Sequence, residues 1–205
     1  MNQSTEPTTW ESLASLPAAV RLPLEVDLAA LQADLARLEA TAWTPHFIPE
    51  NYDGDWSVLP LRASATARHP IQLIYSDPAC RDWVDTPWLT ASPAIAALLT
   101  RFACPLTAVR LMRLTAGSVI KQHSDADLSA DYGMARIHVP VVTNPDVDFR
   151  LNGERVAMAA GECWYLDLSQ PHTVANRGTT DRVHLVIDAI VDPWLAEALS
   201  VAAAI

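Results

Sequence analysis

Two histidines and one aspartate in the second half of the chain have the residue types and spacing of a metal triad. His123 and Asp125 stand two residues apart in His123-Ser124-Asp125, so in an extended segment both project to the same side. His172 follows 47 residues after Asp125, room for several strands to bring the chain back across a barrel. Two imidazoles and one carboxylate leave three positions of an octahedral ion open, the arrangement of non-haem Fe(II) oxygenases. A co-substrate and dioxygen then fit side by side. An H-x-D with a distant histidine is a weak pattern alone, since most histidines are surface or satisfied core residues.

Arg182 strengthens the pattern. It opens the alternating run Arg182-Val-His-Leu-Val-Ile-Asp188, in which Val183, Leu185 and Ile187 face one way and Arg182, His184 and Asp188 the other. An arginine on the inward face of a barrel strand needs an anionic partner, because a buried guanidinium without one is costly. A dicarboxylate co-substrate would supply it in a bidentate pair; a salt bridge to Asp188 or Asp167 is the structural alternative. A second alternating run puts Arg136, His138 and Pro140 on one face and Ile137, Val139 and Val141 on the other. The interior would then gather enough positive charge to receive anionic ligands.

These residues must be positioned by strands. From 108 to 191 the pattern is β throughout, with β-rich runs at 109–114, 136–142, 147–151, 163–168 and 182–190 separated by turn residues such as Asn152-Gly153. Several short strands without intervening helices suggest a barrel or sandwich. Before them, leucines at 28, 31, 35 and 38 predict a helix over 26–40 with Asp27 as its N-cap. A second helix is expected over 92–102, with Pro93 in its first turn. The stretch 41–62 reads as strand and loop, with a turn at Asp53-Gly54. One domain over 1–205 is expected: N-terminal helices and substrate-side strands over 1–107, the barrel over 108–191, and a C-terminal helix over 192–205.

Composition excludes several classes. The chain has 205 residues with 24 acidic and 14 basic side chains, a formal charge of −10, and Lys121 is its only lysine. Nucleic-acid binding needs a basic stripe, so no nucleic-acid partner is expected, and an anionic membrane surface is disfavoured too. No apolar stretch approaches the roughly 18–20 residues of a bilayer span. The segment from Met1 to Pro7 lacks a basic region followed by an apolar one, so a cytoplasmic protein is expected. Cys80, Cys104 and Cys163 are odd in number and show no C-x-x-C spacing, which predicts buried, reduced thiols. No G-x-S-x-G, P-loop or G-x-G-x-x-G is present, which removes the corresponding hydrolase and nucleotide readings. Trp164 and Leu166 alternate with Tyr165 and Asp167, and Trp164 is expected in the core. His46 and His69 are expected to face solvent, although His46 lies close enough to Trp43 in sequence to reach a substrate.

Taken jointly, residues 110–125, 136–144, 161–167, Pro171-His172 and 181–188 resemble the aspartyl/asparaginyl β-hydroxylase family, over most of residues 43–190. The resemblance implies a mainly β fold with flanking α-helices, a double-stranded β-helix of the jelly-roll or cupin-like kind, and Fe(II)- and 2-oxoglutarate-dependent hydroxylation that releases succinate and CO2. It assigns His123, Asp125 and His172 to iron, and Arg182 to the distal carboxylate of 2-oxoglutarate. Arg136 and His138 match positions that look towards the co-substrate or substrate. The region holding His46, Trp56 and Arg62 is similar to the family's substrate side, and His184 is expected to face the same ligands. The family's peptidyl aspartate hydroxylases lack a carboxylate at the position of Asp125, which favours a small substrate, an amino acid or amino-acid-like molecule such as proline, over peptidyl Asp or Asn. A metal-dependent cupin that isomerises or oxygenates without 2-oxoglutarate would use the triad without Arg182, and a non-catalytic ligand-binding barrel would need neither.

Overall fold

The computed structural model describes residues 13–41, 43–76 and 79–204, so the N-terminal segment considered above and the last residue of the expected 192–205 helix lie outside the described residues. The first half of the chain forms β1 (Ala19–Leu22), α1 (Leu28–Leu38), β2 (Thr44–Pro45), β3 (Tyr52–Asp53), β4 (Trp56–Ser64), α2 (Pro70–Ile74), β5 (Trp83–Asp85), α3 (Pro87–Thr90) and α4 (Pro93–Leu99). The second half forms β6 (Leu106–Leu114), β7 (Val119–His123), β8 (Met134–Val142), β9 (Val147–Leu151), β10 (Glu154–Arg155), β11 (Cys163–Leu166), β12 (His172–Asn176), β13 (Arg182–Ile190) and α5 (Pro193–Ala203).

Two antiparallel sheets result. The larger runs β1-β11-β8-β13-β6-β4-β2, with β5 on the free side of β4, and the smaller runs β10-β9-β12-β7-β3. The period of two decides what each face buries. Ile137, Val139 and Val141 of β8, and Val183, Leu185 and Ile187 of β13, join Leu31, Leu35 and Leu38 of α1 and Leu195 and Leu199 of α5 in one apolar cluster. The opposite face contributes Val58, Met112, Leu114 and Val186 to a second cluster, completed by Ile120, Phe149, Leu151 and Val174 of the small sheet. The sheets therefore face each other across that second cluster, while the helices cover the outside of the large sheet. Each fully buried leucine contributes about 1.5–3 kcal/mol through lost apolar exposure.

The helices start where the sequence predicts. Asp27 caps α1 by accepting from the Ala30 N–H at 3.0 Å, and Pro93 opens α4. Asp34 is an apolar-face exception on α1: fully buried, it accepts from the Ile95 N–H at 2.8 Å and ties α1 to the first turn of α4. Among the described residues no helix is long and apolar enough to cross a membrane.

Some expectations hold and others change. The 41–62 stretch is strand and loop as expected, and its strand part includes most of β4, a nine-residue strand of the large sheet that runs on to Ser64 and is buried on both faces. Tyr165 of β11 is fully buried, its hydroxyl accepting from the Ala130 N–H, whereas Trp164 is half-buried at the edge of the second cluster and donates to Glu162. Cys104 and Cys163 are buried and free, and burial pushes their thiols up to about 11 and about 12. Cys80 is instead half-buried, on a cavity wall.

Candidate functional site

The end of β7 and the start of β12 place the triad. His123 is the last residue of β7 and lies directly opposite His172, the first of β12; their rings are 4.2 Å apart. A register shift between His172 and Val174 turns His172 towards this pairing. Asp125 is fixed just beyond β7 by its N–H donating to the Leu168 carbonyl at 2.8 Å. One potential ligand atom from each of the three residues lies within 4.8 Å of the others. Each histidine has its Nδ1 on a backbone carbonyl, Lys121 at 2.8 Å and Gln170 at 3.0 Å. A carbonyl only accepts, so Nδ1 carries the proton and Nε2 keeps a free lone pair, the form a metal requires. Asp125 accepts from Arg136 through one oxygen at 2.9 Å, leaving the other for an ion. The donor set fits a divalent transition metal with open positions.

Arg182 lies behind the triad. Its side chain is 2% exposed and has no carboxylate partner among the described residues; one guanidinium nitrogen donates to His184 Nδ1 at 3.0 Å, and Nε has no partner. Burial alone lowers its pKa to about 9. The alternative of a salt bridge to Asp188 or Asp167 is thus overturned. A guanidinium cannot accept, so His184 Nδ1 must, and His138 Nδ1, 3.2 Å from the same atom, is then the donor. Burial first, and Arg182 second, hold both imidazoles well below their ordinary range, so both are neutral. Phe149 lies 6.1 Å from His138 and stacks parallel to His172 at 6.4 Å. A small cavity joins His138 and Arg182 to all three triad residues. His184 does not border it; fully buried behind Arg182, it supports the arginine, a correction to its expected place on the substrate side.

Asp188 organises the rest. It is opposite Arg136 in the β13–β8 register and accepts from Arg136 at 2.6 and 2.9 Å, from Arg110 at 3.2 Å and from the Ser76 hydroxyl at 2.9 Å. Arg110 also donates to Ser76. Burial opposes the Asp188 charge, yet the two guanidinium groups hold its carboxyl well below the usual range. For Arg136 burial is likewise outweighed by Asp188 and Asp125, and its pKa is raised; for Arg110 burial prevails and the pKa is lowered. Arg136, expected to look towards the co-substrate or substrate, therefore has two carboxylates already and bridges Asp188 to Asp125. Arg110 and Ser76 carry no sequence motif of their own.

In front of the triad lies a cavity of about 1020 Å³, bordered by His123, Asp125, Arg110 and Arg136 at its inner end. His46 is not solvent-facing: it stacks on Trp56 at 3.6 Å, and burial, with Arg110 as the next cause, lowers its pKa to about 4. Trp56 borders both cavities, and its indole N–H has no partner among the described residues. Arg62 reaches the cavity wall but is engaged by Asp85 at 2.5 Å and by the Leu106 and Trp83 carbonyls, which corrects its expected role as an anchor for a substrate anion. His69 is exposed and caps α2.

A family model described as aspartyl/asparaginyl β-hydroxylase matches residues 25–191. The chain is 29% identical over 168 residues to L-proline cis-4-hydroxylase of Rhizobium meliloti (strain 1021), a match covering 80% of this chain and 58% of that protein. It thus spans little more than half the length of this curated relative. Among solved structures, an oxidoreductase of the 2OG-Fe(II) oxygenase family from Burkholderia pseudomallei superposes with a TM-score of 0.52 at 17% identity, covering 92% of this chain and 93% of the other. A prolyl-4-hydroxylase from Pseudomonas putida gives a TM-score of 0.51 at 14% identity, covering 90% and 97%. These likenesses establish the fold as mainly β, a double-stranded β-helix with flanking helices.

Proposed function

The chain belongs to the aspartyl/asparaginyl β-hydroxylase family, and from that premise we propose that it is an Fe(II)- and 2-oxoglutarate-dependent hydroxylase of an amino acid or amino-acid-like small molecule. The proline hydroxylase relative supports a proline-like substrate as the first to test. The three free cysteines, two of them buried, support a cytoplasmic enzyme.

His123, Asp125 and His172 would hold the iron, with the two Nε2 lone pairs and one Asp125 oxygen directed to it. When bound there, iron would allow dioxygen to hydroxylate a C–H bond as 2-oxoglutarate is oxidised, one oxygen atom passing to the substrate and the other to succinate, with CO2 released. Arg182 receives the distal carboxylate of 2-oxoglutarate, and His184 fixes the guanidinium plane from behind. Arg136 keeps Asp125 in place, since Asp188 pins it from the other side. Trp56 and His46 form the wall along which the substrate approaches, and their closeness to the triad keeps water from the reacting carbon.

The buried Arg182 without a carboxylate carries this reading, because a metal-only cupin has no use for it. Calorimetric titration of 2-oxoglutarate into the metal-loaded protein tests it. Arg182→Ala is expected to weaken 2-oxoglutarate at least about thirtyfold, as loss of one partner of a buried charge pair does, while metal binding persists. Equal 2-oxoglutarate affinity in the variant would overturn the assignment.

A further inference from the structure

The cavity in front of the triad is much larger than a free amino acid, and one of its walls is aromatic. Its volume of about 1020 Å³ lies at the top of the range for drug-sized ligands, roughly 300–1,000 Å³. One wall is a continuous series of rings leading outward from the triad. Trp56 is 6.4 Å from the His123 ring, His46 stacks on Trp56 at 3.6 Å, Phe47 on His46 at 4.7 Å, and Tyr75 meets Phe47 edge-on at 5.6 Å.

At the mouth Tyr75 is 44% exposed, Val84 of β5 49% and Ile190 at the end of β13 43%. Six large hydrophobic side chains are exposed among the described residues, and these three, half of the set, come from separate elements to border one cavity. Exposed apolar residues scattered singly need no explanation, whereas a cluster rimming a cavity marks a binding surface. A free proline at the triad would leave all three in water.

Building on the proposed hydroxylase activity, we infer that the substrate is an N-acylated amino acid, whose amino-acid end meets the triad while its apolar acyl chain lies along the Trp56, His46, Phe47 and Tyr75 wall to the Val84 and Ile190 rim. The acyl group supplies the apolar surface that these side chains lack in the free protein, and the amide removes the ammonium charge that an apolar wall would have to desolvate.

The test uses the full chain loaded anaerobically with Fe(II) and 2-oxoglutarate, whose absorption band is recorded first. L-proline and its N-acetyl, N-hexanoyl and N-decanoyl derivatives are then titrated calorimetrically. Burial of each further methylene is worth about fourfold in affinity, so N-hexanoyl-proline is expected to bind at least about tenfold more tightly than N-acetyl-proline. In Tyr75→Ala and in Val84→Glu the gain per methylene is expected to fall. Affinity that is flat along the series, absent for every acyl derivative, or rising equally in both variants would overturn the inference. Failure of the band to form would instead overturn the hydroxylase reading beneath it.

Discussion

Asp188 is the side chain on which most of the charged site depends. It is the shared acceptor of Arg136 and Arg110, and through Arg136 it reaches Asp125. Removing one partner of a buried ion network leaves an uncompensated charge, so Asp188→Asn is expected to lower stability by about 3–5 kcal/mol in urea unfolding at neutral pH. The pH dependence follows from its lowered pKa. The carboxylate stabilises the fold fully above its unfolded-state value near 4, and that contribution is lost as pH falls through the still lower folded-state value. Melting temperature in wild type should therefore decline progressively below about pH 4, and more steeply than in Asp188→Asn; equal slopes would show that Asp188 is not the titrating group. The inward-facing set Arg136, His138, Arg182 and His184 was legible from alternation alone. The pairing of Arg136 with Asp188 was not, because it depends on which strands are neighbours and in what register, and 52 residues of chain separate the two. Arg110 was hidden for the same reason.

Among the elements, the long strands β8, β9 and β13 could be read from the sequence because each alternates over five or more residues. β1 could not: four residues between Pro17 and Pro23 carry little pattern, and the segment is a strand because β11 offers it an edge. β12 was likewise obscured by its polar residues, two of which serve the interior: His172 the triad, and Asn176 the Leu114 and Thr180 carbonyls. Gly117 shows how the β6–β7 turn is fixed. Its φ of +79° lies where side-chain-bearing residues are strained, and its N–H donates to the Asn176 carbonyl at 2.8 Å. The link between α1 and α4 makes a separate prediction. Asp34→Ala should leave the Ile95 N–H buried without an acceptor and cost about 1–3 kcal/mol in chemical denaturation, whereas an unchanged midpoint would show that solvent replaces the bond.

At the scale of the whole molecule, an acidic chain of net charge −10 keeps arginines inside, where Arg110, Arg136 and Arg182 surround a single inner region bordered by both sheets. Arg182 and the triad come from opposite sheets, so ligands joining them should stabilise the folded state as a whole. At a hundred times its dissociation constant a ligand adds about 2.7 kcal/mol. Mn(II) and 2-oxoglutarate together are expected to raise the melting temperature by more than the sum of each alone, and purely additive shifts in a thermal-denaturation series would indicate independent sites. The most direct measurement is an anaerobic titration of the metal-free protein with Fe(II) and 2-oxoglutarate, followed by visible absorption. A weak charge-transfer band is expected in wild type, none in Asp125→Ala and a weakened one in Arg182→Ala. Fe(II) bound at His123, Asp125 and His172 with no band on addition of 2-oxoglutarate would contradict the account.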